Sequence, residues 1–202
     1  MERELGIRAF EALLDDERVH HAVKTLLVEE YKPGTQLFSI FVEHSFAVAS
    51  LALILGKSCA ARLDFLREAA WLHDIGIKYT RAPGICCDGD EPYIRHGVIG
   101  RELCEAYRLP EHGLVCERHV GTGLTKLEIE AQGLPLPARD MLCESLEERL
   151  LSYADNFFSK SSPKRLELGV VRQRIARHGA ASLARFEEFH QEFGAFVPLL
   201  SS

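Results

Sequence analysis

Four histidines and two aspartates of this sequence could bind a metal ion, and each lies among apolar residues of a predicted helix. They are His44, His73, Asp74, His96, His119 and Asp155. His44 shares a predicted helix face with Phe41 and Val48, and Asp74 shares one with Ala70, so these polar groups are expected to point into the core. A single histidine in such a place is more often a hydrogen-bonded core residue than a ligand. Five helices that each direct an ionisable group inward need another explanation.

The two aspartates favour a metal site. A carboxylate on an apolar face is costly unless it is paired or bound to a cation. Neither Asp74 nor Asp155 has a Lys or Arg nearby on the same helix face, so divalent cations are the expected counter-charges. Mixed imidazole and carboxylate ligands suit first-row ions such as iron, manganese or zinc better than calcium.

The composition predicts one folded domain without a general basic surface. The chain has 202 residues, 47% of them hydrophobic, and a formal net charge of −6. This length suits a single core. The negative charge argues against extended nucleic-acid binding, whereas a small anionic substrate in a metal pocket is compatible with it.

The first residues of the sequence do not resemble a targeting signal. Its first residues, MERELGIRAFEALLDDERVHH, are charged throughout and unlike a signal peptide, and no segment reaches the roughly 18 uncharged apolar residues of a membrane span. We therefore expect a cytoplasmic protein without a membrane partner. The six cysteines include no CxxC pair, so reduced thiols are expected.

Apolar residues recur at helical spacing along most of the chain, and alternating β-branched runs are scarce. The predicted fold class is all-α, with helices at about 2–14, 17–31, 36–57, 62–76, 93–108, 111–120, 144–160, 164–178 and 181–193. Residues 81–92, with two prolines and two glycines, are predicted to form a loop that could act as a lid. A shorter irregular stretch contains Gly133, Pro135 and Pro137.

The ordered ligand set and its flanking sequences resemble the HD-domain metal-dependent phosphohydrolase superfamily in its HDIG variant. The segments that carry the resemblance are VEHSFAVASLALILG, AAWLHDIGIKYT, RHGVIGRELC, ERHVGTGL and LLSYADNFF, within residues 41–160. A bare His-Asp dipeptide is weak evidence, but the complete ordered set is a specific signal. The resemblance implies a single-domain HD-domain helical bundle. Residues 36–160 would form the HD domain with the metal site, 1–35 would be N-terminal helices packing on that core, and 161–202 would be C-terminal helices of the same domain.

The resemblance also implies a distribution of ligands and a reaction. His44, His73, Asp74 and Asp155 would hold one metal, and Asp74 would bridge to a second metal held by His96 and His119. Two divalent ions per chain are expected, with Fe, Mn, Zn, Co, Ni and Mg all open. Such a pair can lower the pKa of a bridging water and stabilise the attacking and leaving oxygens. The predicted reaction is attack of that metal-bridged hydroxide on the phosphorus of a phosphoester or phosphoanhydride, with Asp74 and His73 at its centre.

Four further residues are candidates for contact with substrate. Many HDIG proteins carry a basic residue directly after the glycine, where this chain has Ile77, so Lys78 is a candidate catalytic cation, and a solvated charge is the alternative. Arg95 and Arg118 could line the pocket rim or simply face solvent. Thr122 lies between two glycines, where it could approach substrate or belong to a plain helix end.

The leading hypothesis is hydrolysis of a small phosphorylated compound, with a nucleotide favoured. Two alternatives stay open. Some HD-domain proteins with the same six ligands are mixed-valent diiron oxygenases, and a degenerate copy could be a non-catalytic nucleotide-binding module. Oligomeric state and exact substrate are not predicted.

Overall fold

The computed structural model describes residues 2–162 and 164–197 of the chain, and these residues fold mainly into α-helices. The predicted all-α class is confirmed. The helices are α1 Glu2–Asp15, α2 His21–Glu30, α3 Gln36–Ser58, α4 Leu63–Leu72, α5 His96–Ala106, α6 Pro110–Arg118, α7 Lys126–Gln132, α8 Leu146–Asp155, α9 Leu168–Ala176 and α10 Ala180–Phe193.

Helix α3 is the central element of the fold. It begins at Thr35, whose side-chain oxygen accepts a hydrogen bond from the Phe38 amide at 3.0 Å and so satisfies a free donor of the first turn. Helices α1, α4 and α8 pack around it. By length and apolar composition α3 could also cross a membrane, but 56% of that window is buried inside the protein, as expected of a core helix.

Helix α4 ends earlier than predicted, and a tight turn follows it. The prediction of 62–76 is wrong at its C-terminal end because the backbone leaves the helix after Leu72. The amide of Ile75 bonds to the carbonyl of Leu72 at 2.9 Å, and a short 3-10 turn covers Ile77–Tyr79. The buried Tyr31 hydroxyl donates to the backbone carbonyl of Ile75 at 3.3 Å. His73 and Asp74 therefore lie in a turn that a hydrogen bond from Tyr31, the residue after α2, holds in place.

Gly76 allows this turn to approach α5 closely. A Cβ atom at position 76 would meet the carbonyl oxygen of His96 and would lie 2.8 Å from the amide nitrogen of Gly100. Both are backbone atoms of one helix and cannot rotate away. The glycine therefore sets the spacing between the His73-Asp74 turn and the helix that carries His96.

We expect Gly76→Ala to destabilise the protein by about 1–3 kcal/mol, the usual cost of overpacking a core. Urea denaturation of the metal-free protein measures this effect. Gly169→Ala is the matched control, because a Cβ there meets nothing within 4 Å and alanine favours the helix. A Gly76→Ala protein as stable as the wild type would contradict the proposed spacing.

Residues 81–92 are not simply a loop, which corrects the prediction for this segment. They contribute to a three-stranded sheet in which β1 Thr80–Ala82 lies between β2 Cys87–Asp88 and β3 Glu91–Pro92. β1 pairs antiparallel with β2 and parallel with β3. Strands of two or three residues are too short for alternation to appear in the sequence.

The second half of the chain also departs from prediction at its element boundaries. Helix α7 was not predicted, although Thr125 and Glu128 form a complete capping box at its start. The helix predicted at 144–160 ends at Asp155, and the one predicted at 164–178 covers only Leu168–Ala176. Residue 163 and the end of the predicted C-terminal region, 198–202, lie outside the described residues.

One hydrophobic core runs through most of the described fold. It includes Phe10 in α1, Leu51 in α3, Leu151 in α8 and Phe186 in α10. The division at 35 and 160 stays a prediction, but its three parts share this core. All six cysteines lie in the described part and are free thiols there.

Candidate metal centre

The six predicted ligands come together from five elements of the fold. His44 extends from the middle of α3, His73 and Asp74 occupy the turn after α4, His96 starts α5, His119 follows the last residue of α6, and Asp155 ends α8. Asp74 and His73 have 0% exposure, and the other three histidines are also buried. The Asp155 side chain is 16% exposed and so marks the side from which solvent reaches the cluster.

The two oxygens of Asp74 face different histidines. Its Oδ2 lies 3.2 Å from Nε2 of His44 and 3.2 Å from Nε2 of His73. Its Oδ1 lies 3.5 Å from Nε2 of His96 and 3.6 Å from Nε2 of His119. Asp155 Oδ1 is on the first side, 2.9 Å from His44 Nε2. The carboxylate of Asp74 therefore lies between two groups of ligand atoms.

Three of the histidines are oriented by backbone carbonyls three residues earlier in the chain. The Nδ1 atoms of His73, His96 and His119 lie 2.7, 2.7 and 2.8 Å from the carbonyl oxygens of Ala70, Tyr93 and Cys116. When Nδ1 carries the proton and donates it there, the Nε2 lone pair is free and directed at Asp74. This is the arrangement that outer hydrogen bonds impose on metal-binding histidines.

The buried polar atoms at this point fit a divalent cation. Among the described residues, Oδ1 of Asp74 and Oδ1 of Asp155 are buried without a hydrogen-bond partner. Oδ2 of Asp74 also lacks a hydrogen bond, but the ammonium group of Lys160 lies 2.7 Å from it. His44, His73 and Asp155 form one group able to hold a metal ion, and His73, Asp74 and His119 form another. Imidazole nitrogen and carboxylate oxygen are ligands that zinc, iron and manganese accept.

Burial and neighbouring charges shift the pKa values of the cluster in both directions. Burial alone lowers the pKa of His73, but Asp74 and Asp155 outweigh it and raise the pKa to about 10. Burial lowers the pKa of His96 to about 3, and His119 and Lys160 act in the same direction. Burial would raise the pKa of Asp74, yet Lys160 and His73 hold it well below its usual range. Burial would also raise the pKa of Asp155, but His44 and His73 beside it hold that pKa well below its usual range. Both aspartates are therefore charged, and His96 is neutral.

A cavity of about 560 Å³ opens onto the cluster from the side of His96, His119 and Asp155. Its walls come from the sheet segment near Gly84, the loop Gly121-Thr122-Gly123, the end of α8 and helix α9. Asn156 positions the loop because its Nδ2 donates to the Gly121 carbonyl at 2.7 Å. Apolar side chains such as Ile94 and Phe158 alternate with polar groups along the walls.

A second, smaller opening of about 250 Å³ reaches the cluster from the side of His44. The segment Phe158 to Ser161, together with Gly84, lines both openings and lies between them. Lys160 belongs to this segment, and its Nζ lies 2.7 Å from Asp74 Oδ2. Burial lowers the pKa of Lys160, but Asp74 outweighs this effect and raises the pKa above its usual range.

Lys78 and Arg95 do not line either opening. The Nζ of Lys78 lies 2.6 Å from Glu30 Oε2 and donates to the Glu30 carbonyl at 3.0 Å. Arg95 pairs with Glu91 at 2.8 Å and donates to the carbonyl of Pro135 at 2.9 Å. The geometry therefore gives no support to a substrate contact by either side chain, because both are held by other partners.

Arg118 and Thr122 differ in their relation to the cavity. Arg118 pairs with Glu144 at 3.0 Å and Glu148 at 3.1 Å, away from the lining residues. Thr122 does line the cavity, but its hydroxyl donates to the carbonyl of Ser182 at 3.1 Å. Its part in substrate binding stays a prediction.

Lys160 was missed by the sequence analysis. The helix predicted to continue to residue 160 would have placed it on solvent-exposed helix surface, whereas α8 ends at Asp155. The available signal was the run Ser159-Lys160-Ser161-Ser162-Pro163, whose serines and proline are typical of a turn. A lysine in such a turn, five residues after a ligand, can fold back toward that ligand.

Comparison with known proteins identifies the family. A family model described as the HD domain matches residues 41–159, which is more than half of the chain. The chain therefore belongs to the HD domain family. An uncharacterized protein of Methanocaldococcus jannaschii is 33% identical over 142 residues, which cover 67% of this chain and 75% of that protein.

Two further relatives are tRNA (cytidine(56)-2'-O)-methyltransferases. That of Thermoplasma volcanium is 28% identical over 80% of this chain, and that of Picrophilus torridus is 28% identical over 59%. The matches span only 43% and 32% of those proteins, so they give no reason to assign methyl transfer here. The HD domain of the L. monocytogenes phosphodiesterase PgpH superposes with a TM-score of 0.51 and 14% identity, covering 87% of this chain and 97% of that domain. This likeness shows the fold alone.

Proposed function

We propose that this protein is a metal-dependent phosphohydrolase that cleaves a phosphoester or phosphoanhydride bond of a small molecule. The observation that carries the proposal is the position of Asp74, whose two oxygens face separate histidine pairs at the base of a cavity. A carboxylate that faces two groups of ligand atoms could be shared by two cations, as in two-metal sites, where the ions typically lie about 3.5–4 Å apart. Membership in the six-ligand, HDIG subgroup is part of this proposal.

Each ligand has a defined task in the proposed site. His44, His73 and Asp155 would hold one cation, His96 and His119 the other, and Asp74 both. When bound, the cations supply Lewis acidity and a water of lowered pKa. The carbonyls of Ala70, Tyr93 and Cys116 fix the imidazole rings, so little reorganisation accompanies the reaction.

The cavity supports a substrate of nucleotide size. Its volume of about 560 Å³ lies within the roughly 300–1,000 Å³ typical of small-molecule pockets. Apolar side chains such as Ile94, Leu134 and Phe158 offer surface to a base or another flat group. Arg174 and His178, on α9 and just after it, add groups that could bind further negative charge.

The test is an anaerobic screen of protein loaded with manganese or iron. We expect release of phosphate, nucleotide or nitrophenol from at least one nucleotide, aryl monoester or aryl diester, with two metals per chain by elemental analysis. Turnover that requires O2 and consumes it would favour the diiron oxygenase instead. Tight nucleotide binding without turnover under any metal would favour the non-catalytic module.

A further inference from the structure

A largely buried lysine, Lys160, occupies the turn that separates the two openings of the site. The turn is closed by a hydrogen bond from the Ser162 amide to the Ser159 carbonyl at 3.0 Å, and the hydroxyls of Ser159 and Ser161 lie 2.9 Å apart. Lys160 is at its tip, with a side chain only 13% exposed. The Nζ atom lies 6.0 Å from the ring centroid of Tyr93, another cavity residue.

The ammonium group of Lys160 occupies a place that it cannot keep when metal binds. It lies 2.7 Å from Asp74 Oδ2, the oxygen that also faces His44 and His73. A divalent cation coordinated by that oxygen would come within a few ångströms of Nζ, where two positive charges repel strongly in a partly buried site. Lys160 must then turn toward a different anion.

The larger cavity offers no resident anion for it. Among the described residues that line this cavity, Asp155 is the only carboxylate, and it belongs to the proposed ligand set. The lysine stem is long and flexible, with an ammonium group able to donate three hydrogen bonds. Glu43 lines the smaller opening, but on the side of the larger cavity a largely buried ammonium group displaced from Asp74 is suited to a ligand that brings its own negative charge.

We propose that Lys160 binds the phosphoryl oxygens of the substrate, a tetrahedral oxyanion, when the metal centre is filled. This inference rests on the proposed function and supplies the cationic contact that the sequence had suggested for Lys78. Lys160 would hold the phosphoryl group from the side of the turn, and bound cations would supply Lewis acidity to the same group. It would also favour substrates that carry negative charge on phosphorus over neutral esters.

The experiment measures binding of inorganic phosphate to manganese-loaded protein by titration calorimetry, so it needs no turnover. We expect Lys160→Met to keep the wild-type metal content and to weaken phosphate binding by about tenfold or more, the value of a hydrogen bond to a charged group. Lys160→Arg should stay within a few-fold of wild type because it keeps the charge. Lys164→Met, a change four residues away on the exposed surface, is the control and should bind as wild type does.

Three outcomes would overturn the proposal. Phosphate affinity could be unchanged in Lys160→Met with full metal content, the wild type could bind no phosphate, or Lys160→Met could lose metal, in which case the lysine only supports Asp74. If phosphate binding depends on Lys160 while no ester is hydrolysed by the wild type, the proposed function fails and the anion site stands. Where hydrolysis is found, Lys160→Met should raise KM for an aryl monoester more than it lowers kcat.

Discussion

Asp74→Asn is expected to abolish hydrolysis and to remove most of the bound metal. An amide keeps the shape of the side chain but carries no charge, and only one of its two terminal atoms can coordinate a cation. Because Asp74 faces both histidine pairs, this single change weakens both cation sites. We expect turnover to fall by about a thousandfold or more, as when a group essential to the catalytic unit is lost.

Thermal unfolding gives a second measure that is independent of activity. A cation at 100 times its Kd stabilises the folded wild-type protein by about 2.7 kcal/mol through mass action, so added manganese should raise its Tm. The Tm of Asp74→Asn should not respond to manganese. Asp15→Asn, on the exposed surface at the end of α1, should behave as wild type in every measurement. A variant at position 74 that keeps two metals would disprove the bridging role.

His119→Gln is expected to remove one metal and leave the other. Nε2 of His119 faces Asp74 Oδ1 together with His96, 3.3 Å from the Nε2 of that residue. The group formed by His44, His73 and Asp155 is on the opposite side of the Asp74 carboxylate and keeps all its ligands. The metal content measured by elemental analysis should therefore fall from two ions per chain to one, and His96→Gln should give the same result.

The effect on activity should be large but smaller than that of Asp74→Asn. Loss of groups that only orient a ligand costs about 10–100-fold in affinity or activity, so loss of the ligand itself should cost about 100-fold or more. His21→Gln is the control, because His21 is exposed on α2. A His119→Gln protein with both metals, or with none, would contradict the division of the site into two halves.

The positions of the six proposed ligands could be picked out from the sequence because each lies in a strong local pattern. α3 was predicted at 36–57 and observed at Gln36–Ser58, since a Pro-Gly-Thr break precedes a long apolar face. The inward direction of His44 follows from that helix alone. The meeting of the six side chains followed from the resemblance, because helix periodicity does not determine how distant helices pack.

The residues that surround the proposed ligands could not be placed from the sequence in the same way. Lys78 points to Glu30 because a 3-10 turn replaces the predicted end of α4, and a shift in helix geometry redirects every later side chain. Lys160 reaches Asp74 because α8 ends five residues before it. Helix ends are decided by capping and tertiary contacts that a periodic pattern does not contain.

The elements that are too short to show a repeating apolar pattern were also missed by the sequence-based prediction. β1, β2 and β3 consist of two or three residues each, so their identity depends on pairing between segments and not on local sequence. α7 has only seven residues, which is too short for apolar recurrence to be distinctive. Its capping box was visible in the sequence and is the signal that could have predicted it.

The assembly of the six proposed ligands from five elements has a consequence for the stability of the whole protein. His44 and His73 are 29 positions apart in the chain, and His96 and His119 are 23 positions apart. A cation bound between two such residues would link segments that are distant in the chain. Because the unfolded chain has no preformed site, the free energy of metal binding would add to the free energy of unfolding, by about 4 kcal/mol per site at a thousand times the Kd. The six cysteines of the described residues are free thiols, so bound metal, and not a disulfide, would connect distant segments of this helical fold.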